Sequence, residues 1–202
     1  RMRRRPIGEL IDLLPPRGGR ADSRGAVGSP PVRIQPPADP GDLAALRTHQ
    51  RLGTTASSQF ISAVMLIAPL LPRGVELELQ QPVTSFPYIE MSKRILDQAL
   101  GRPAAAIEHP SEQFVTIRVP GLGRPFPAFT LDIEPDASGA TYFEAAAALF
   151  EGASVTIDGL DLGPRGTLQG DTHFVRIIAD MGGKVERIGS GPHASLRISG
   201  GP

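Results

Sequence analysis

Cysteine and asparagine are both absent from these 202 residues, and lysine occurs only at Lys93 and Lys184. Without Cys there is no disulfide, thiolate zinc site, cysteine nucleophile or iron–sulfur ligation. Without Asn there is no N-glycosylation sequon. An excess of one charge is missing too. The 21 Lys+Arg balance 21 Asp+Glu, which argues against a nucleic-acid surface spread over the whole chain. The one long uncharged stretch, Leu52 to Pro72, opens largely with Thr, Ser and Gln. Its apolar part, Phe60 to Leu71, is too short to span a bilayer. The four histidines stand alone at His49, His109, His173 and His193, with no HExxH or His-x-His pairing. Nucleotide phosphate loops and hydrolase elbows are unsupported: Gly121 and Gly123 are followed by Phe126 where the third glycine of a dinucleotide loop would stand.

What is present is an ordinary globular composition, 40% hydrophobic with 23 glycines, long enough for one large domain or two small ones. The opening Arg1-Met2-Arg3-Arg4-Arg5 lacks the apolar stretch of a signal peptide. Its start on Arg within a charged segment leads us to expect part of a longer protein. The first 45 residues carry eight Pro and six Gly. A short helix is expected from Pro6 through Leu14, with Pro6 in its first turn and Pro15-Pro16 stopping it. A turn-rich tract follows Arg17-Gly18-Gly19, with a short strand around Val32 to Ile34.

Beyond residue 50 the pattern sharpens and then repeats. Ser57-Ser58-Gln59 precedes an apolar helix, Phe60 to Leu71, whose all-round hydrophobicity predicts burial. An alternating strand follows at Val75 to Leu79, then a turn with Pro82 and Pro87. A helix from Tyr88 to Leu100 ends at Gly101, and Phe114 to Val119 reads as a strand. The order then replays. Helix Ser138 to Phe150 leads to strand Ser154 to Ile157 and a turn through Gly159, Gly163 and Gly166. Helix Asp171 to Met181 and strands Lys184 to Ile188 and Ala194 to Ile198 complete it. Ser57 to Ser138 and Gly101 to Gly182 are each 81 residues apart. That spacing suits a duplicated helix–strand–helix–strand unit. Gly121 to Pro127, followed by Leu131 to Pro135, reads as a domain crossover.

Two hydroxyls and an amide at a helix start, beside free backbone N–H groups, make an anion seat of Ser57, Ser58 and Gln59. A plain N-cap, which needs only one Ser, is the alternative. The Arg cluster at residues 1 to 5 reads either as a basic surface patch, as part of an anion site, or as a nucleic-acid arm. Asp132, Glu134 and Asp136 alternate along an extended segment, as a cation site or as a solvated strand edge.

Taken in order, six blocks resemble the 5-enolpyruvylshikimate-3-phosphate synthase family. They are Arg1-Met2-x-x-Arg5-Pro6-Ile7-Gly8, Pro30 to Ile34, Ser57 to Ala63, Ser85 to Ile89, Glu134 to Phe143, and Leu168 to Phe174. The resemblance implies an α/β (α+β) fold of repeated helix–sheet units, part of a two-domain, inside-out α/β barrel. Residues 1–129 would be the C-terminal part of the first, shikimate-phosphate-binding domain, and residues 130–202 the first unit of the second. The family protein is about twice as long, so this chain looks like its middle.

The implied reaction transfers the enolpyruvyl group of phosphoenolpyruvate to shikimate 3-phosphate without a metal or other cofactor. Carried over by position, Ser57, Ser58, Gln59, Ser85 and Tyr88 would bind shikimate 3-phosphate, and Arg1 and Gln59 phosphoenolpyruvate. The family's N-terminal lysine, its glycine-rich loop, aspartate base and later Lys/Arg cluster have no counterpart in these residues, so no catalytic residue is expected within the chain. Phe86 and the Pro15-Pro16 pair depart from the family pattern. The resemblance further implies a cytoplasmic protein, monomeric when complete, with no nucleic-acid or membrane partner. A non-catalytic anion-binding or structural module of the same fold is the alternative function.

Overall fold

The computed structural model describes the chain except residues 1, 14–19, 37–47, 54–56, 132, 161, 163–166, 168, 191–193 and 202, and the side chains of Met2 and Leu13. Several expectations therefore lie outside the described residues: Arg1, the Pro15-Pro16 stop, Asp132, Gly163, Gly166, Leu168 and His193. The chain divides into two compact units, Arg1–Thr130 and Leu131–Pro202.

The first unit opens with a short 3-10 turn, Met2–Arg4, and helix α1, Gly8–Leu13. Pro6 precedes that helix rather than sitting in its first turn. A two-stranded antiparallel ribbon follows, β1 (Arg20–Ser23) on β2 (Val32–Gln35). The body of the unit is β3 (His49–Leu52), α2 (Ser58–Ile67), β4 (Val75–Gln80), α3 (Phe86–Leu100), β5 (Ala106–Ser111) and β6 (Phe114–Val119). These strands form one sheet in the order β3-β4-β6-β5. β3 runs parallel to β4, and the other neighbours are antiparallel.

Alternation explains the sheet. Val75, Leu77 and Leu79 of β4 and Val115, Ile117 and Val119 of β6 are buried, and they meet Ile61, Val64 and Met65 of α2 and Ile89 and Leu96 of α3. Each fully buried aliphatic side chain of this kind stabilises the fold by about 1.5–3 kcal/mol through its removal from water. The other face of the sheet carries charge: Arg118 reaches both Glu76 (2.7 Å) and Glu108 (2.5 Å), and Arg51 Nε donates to Glu78 at 2.6 Å. Gly101 closes α3 at φ 64°, where a side chain would be strained. Gly74 is required for a different reason: a Cβ there would meet the Val119 carbonyl oxygen at 2.0 Å.

Helix α2 departs from expectation. The α-helix ends at Ile67, and Ala68–Leu70 continues as a 3-10 turn carrying Pro69. It is not buried on all sides, since Leu66, Ile67 and Leu70 are exposed, Leu70 at 65%. One stripe of the helix suffices to cover the sheet, and the rest of its apolar surface faces outward.

The second unit contains α4 (Ala137–Leu149), β7 (Ser154–Asp158), α5 (Phe174–Asp180), β8 (Lys184–Ile188) and β9 (Ser195–Ser199). A 3-10 turn, Gly170–His173, replaces the first turn of the expected Asp171–Met181 helix. The sheet order is β7-β9-β8, all antiparallel. That is the order of β4-β6-β5, so the 81-residue repeat is a repeat of topology. Both copies are helix–strand–helix–strand–strand, and the first adds β3 at its edge.

Candidate anion-binding site

At the start of α2, Ser57 has extended backbone (φ −71°, ψ 132°), and its Oγ accepts from the Gln59 N–H at 3.3 Å. The Phe60 N–H donates to the Ser57 carbonyl at 2.9 Å. Ser57 is therefore an N-cap, through a long hydrogen bond. Its neighbours are free of that duty: the hydroxyl of Ser58, a residue 7% exposed, and the carboxamide of the exposed Gln59 bond to no other described residue.

The start of α3 is built differently. Ser85 sits in the left-handed region (φ 57°, ψ 45°), alone among the described non-glycine residues. An N-cap has extended backbone and a side chain bonded to the helix start; Ser85 has neither, and its hydroxyl makes no capping bond. A serine held in this conformation costs about 1–3 kcal/mol, and such strain concentrates at functional sites. Tyr88 follows in the first helical turn, 39% exposed.

These two blocks, 28 residues apart between Ser57 and Ser85, are tied to each other. Ser62 Oγ, one turn into α2, donates to the Tyr88 carbonyl at 3.4 Å, and Ser92 Oγ donates to the same oxygen at 2.8 Å. The beginnings of α2 and α3 thus lie side by side. Each start carries polar groups at the positive end of a helix dipole: backbone N–H groups, the Ser58 hydroxyl and Gln59 carboxamide on α2, and the Ser85 hydroxyl before α3. No acidic side chain is bonded to any of them among the described residues. Donors of this kind at helix starts are what an anion-binding site requires.

The corresponding blocks of the second unit are also brought together, but they satisfy each other. The Gln169 carboxamide donates to the Pro135 carbonyl at 2.6 Å and accepts from the Ala137 N–H at 2.8 Å. Ser138 Oγ donates to the Asp171 carboxylate. Gln169 is thereby the clamp of the α4 start, a role that sequence reasoning missed; its place in a motif block was the only signal. Nothing in the sequence pointed to Glu144 either. It stands on the buried face of α4 between Ala140 and Ala147, is 2% exposed, and its Oε2 has no hydrogen-bond partner among the described residues. Burial raises its pKa above the ordinary carboxylate value.

The remaining candidates separate. His49 is bonded to Glu76 at 3.0 Å on the outer sheet face, His109 lies against Phe86, and His173 is exposed at the start of α5. Among the described residues no group of three His, Cys, Asp or Glu is placed to hold a metal ion, and no helix is long and apolar enough to cross a membrane.

Comparison with known proteins finds relatives over nearly the whole chain. Residues 1–201 match the family described as EPSP synthase (3-phosphoshikimate 1-carboxyvinyltransferase). A chloroplastic 3-phosphoshikimate 1-carboxyvinyltransferase of Solanum lycopersicum is 35% identical over 187 residues, covering 92% of this chain and 33% of that protein. The enzyme of the same name from Thiobacillus denitrificans is 33% identical over 193 residues, covering 96% of this chain and 41% of that protein. Among solved structures, an EPSP synthase from Acinetobacter baumannii superposes with a TM-score of 0.57 at 21% identity, over 99% of this chain and 41% of that one. The chain thus spans about a third to two-fifths of the length of these proteins.

Proposed function

The chain belongs to the EPSP synthase family, and from that premise we propose that it supplies the shikimate 3-phosphate side of an enolpyruvyl transfer site in a longer enzyme. Residues 1–129 are then the C-terminal part of the first domain, and residues 130–202 the first unit of the second. Ser57, Ser58, Gln59 and Ser85 bind shikimate 3-phosphate, with Ser85 on the phosphate, and Tyr88 flanks the ring. Gln59 and Arg1 face phosphoenolpyruvate, where a guanidinium suits the bidentate grip on carboxylate or phosphate.

The observation that carries this reading is the pairing of the α2 and α3 starts through Ser62 and Tyr88. It ties together two blocks named by the family resemblance, which supports a shared site. In the transfer, the phosphoenolpyruvate methylene carbon takes a proton, and the 5-hydroxyl of shikimate 3-phosphate adds to the neighbouring carbon. The tetrahedral adduct then loses phosphate and one proton of the methyl group so formed, restoring the alkene on the new ether. This chain's residues contribute orientation and charge complementarity. The protein acts in the cytoplasm as a monomer on these two small molecules.

The test compares two substitutions in the complete enzyme. Gln59→Ala removes a contact to both substrates and lowers kcat/KM by about 10- to 150-fold, the value of about 1.5–3 kcal/mol for a charge-assisted hydrogen bond. His173→Ala, exposed at the start of α5, leaves it nearly unchanged. Equal effects of the two would refute the site assignment. The 202-residue chain alone should release no phosphate from the mixed substrates.

A further inference from the structure

Phe86 and Ile107, packed against the core of the first unit, line a cleft of about 270 Å³ between α3 and the edge strand β5. Glu90, Lys93, Arg94 and His109 complete its lining. Residues 86, 90, 93 and 94 stand four, seven and eight positions along the helix, so they share one flank of α3. Tyr88, two positions from Phe86, lies on another flank. None of Ser57, Ser58, Gln59, Ser85 or Tyr88 lines the cleft. It is a separate place.

Its charges are unevenly committed. Lys93 Nζ is 2.5 Å from the Asp97 carboxylate, which also accepts the Ala104 N–H at 2.6 Å. Glu90 and Arg94 are also one turn apart, in the order that favours a helical ion pair. Yet they pair neither with each other nor with any other described residue. Beside them the rings of Phe86 and His109 are 6.0 Å apart and tilted by 51°, an edge-inclined aromatic pair. The cleft therefore offers an uncommitted carboxylate, an uncommitted guanidinium and an aromatic and aliphatic floor, in a volume near the small end for ligand pockets.

We propose that this cleft binds a free α-amino acid with an aromatic side chain. Arg94 grips the carboxylate, for which its planar fork is suited. Glu90 takes the ammonium group, and the ring lies against Phe86, His109 and Ile107. A simple anion would answer Arg94 and meet repulsion from Glu90; a simple amine would reverse the mismatch. A zwitterion offers a group of the right sign to each of them.

Calorimetric titration of the 202-residue chain with L-phenylalanine tests the proposal, with 3-phenylpropionate, phenethylamine and inorganic phosphate as comparisons. L-phenylalanine should bind saturably, and the two analogues, each lacking one charge, at least about tenfold more weakly. Arg94→Ala and Glu90→Gln should each weaken L-phenylalanine by a similar factor. Both side chains are exposed, and an unchanged circular dichroism spectrum verifies that the fold is kept. Lys184→Ala, on the second unit, should change nothing. Absence of saturable L-phenylalanine binding, equal affinity for 3-phenylpropionate, or displacement of L-phenylalanine by phosphate would overturn it.

Discussion

The starts of α2 and α4 occupy equivalent places in two copies of one topology, and they are finished in opposite ways. In the first copy Ser57 caps weakly, and Ser58 and Gln59 keep unspent polar groups. In the second, the Gln169 carboxamide fills the first amide of α4, and Asp171 takes the hydroxyl of Ser138. A helix start attracts anionic partners in either case. The second copy supplies polar partners from its own chain, whereas the first, on the proposed reading, leaves the place to a ligand. Duplication provides two equivalent helix ends, and a few side chains decide which of them is satisfied within the chain.

The cores diverge as well. Where α2 buries Ile61, Val64 and Met65, α4 buries Ala137, Ala140 and Ala147, with Glu144 among them. Making the first helix resemble the second, by Ile61→Ala, should cost about 2–5 kcal/mol of unfolding free energy in urea. A loss below about 1 kcal/mol would show that the core around Ile61 relaxes freely. Opening the second helix start, by Gln169→Ala, strips the Ala137 amide and the Pro135 carbonyl of their partner. The expected loss is about 1–3 kcal/mol, and an unchanged melting temperature would contradict the clamp.

The two copies also respond to pH with opposite signs. The Arg118 hydrogen bond, seconded by His49, lowers the pKa of Glu76 despite some desolvation. Burial alone would raise Asp97, but the Ala104 amide and Lys93 outweigh it and lower its pKa. Stability from these groups is present above the ordinary carboxylate range and is lost as pH falls through their lowered values. Glu144 is the reverse. Its raised pKa favours the neutral acid in the fold, so its contribution is full below the ordinary glutamate value and is lost as pH rises through the folded one. Glu144→Gln should therefore remove a decline in stability toward alkaline pH while leaving the acid limb in place. Identical pH–stability curves for the two proteins would contradict this.

The smallest expected effect concerns the strained residue. Ser85→Gly should raise stability by about 1 kcal/mol, because glycine adopts φ 57° without steric cost. It should at the same time weaken shikimate 3-phosphate binding. A cap would behave in the opposite sense, losing stability and keeping affinity.

Much of the fold was legible because apolar spacing and turn residues agreed. β4 alternates, Gly101 and Gly182 mark helix ends, and the spacing between them exposed the duplication. What escaped detection was local sequence with no period. β3 has a single apolar residue, Leu52, and is held as an edge strand by parallel pairing to β4. β5 contains Pro110 and faces solvent along most of its length, which an edge strand tolerates. The missing strand also explains why only the second copy showed its closing strand pair. In the site, the types of residue were legible, but the division of labour between Ser57 as cap and Ser58 and Ser85 as uncommitted groups required coordinates. The clamp of α4 by Gln169 spans 32 residues and has no short-range signature.

The central claim is that the first helix start, and not its equivalent, is the anion site. It is tested most directly by calorimetric titration of shikimate 3-phosphate into the 202-residue chain and two variants, Ser58→Ala and Ser138→Ala. Binding should be saturable, weakened about tenfold by Ser58→Ala, as expected for a hydrogen bond to a charged ligand, and unchanged by Ser138→Ala. Binding weakened equally by both substitutions, or by Ser138→Ala alone, would contradict it.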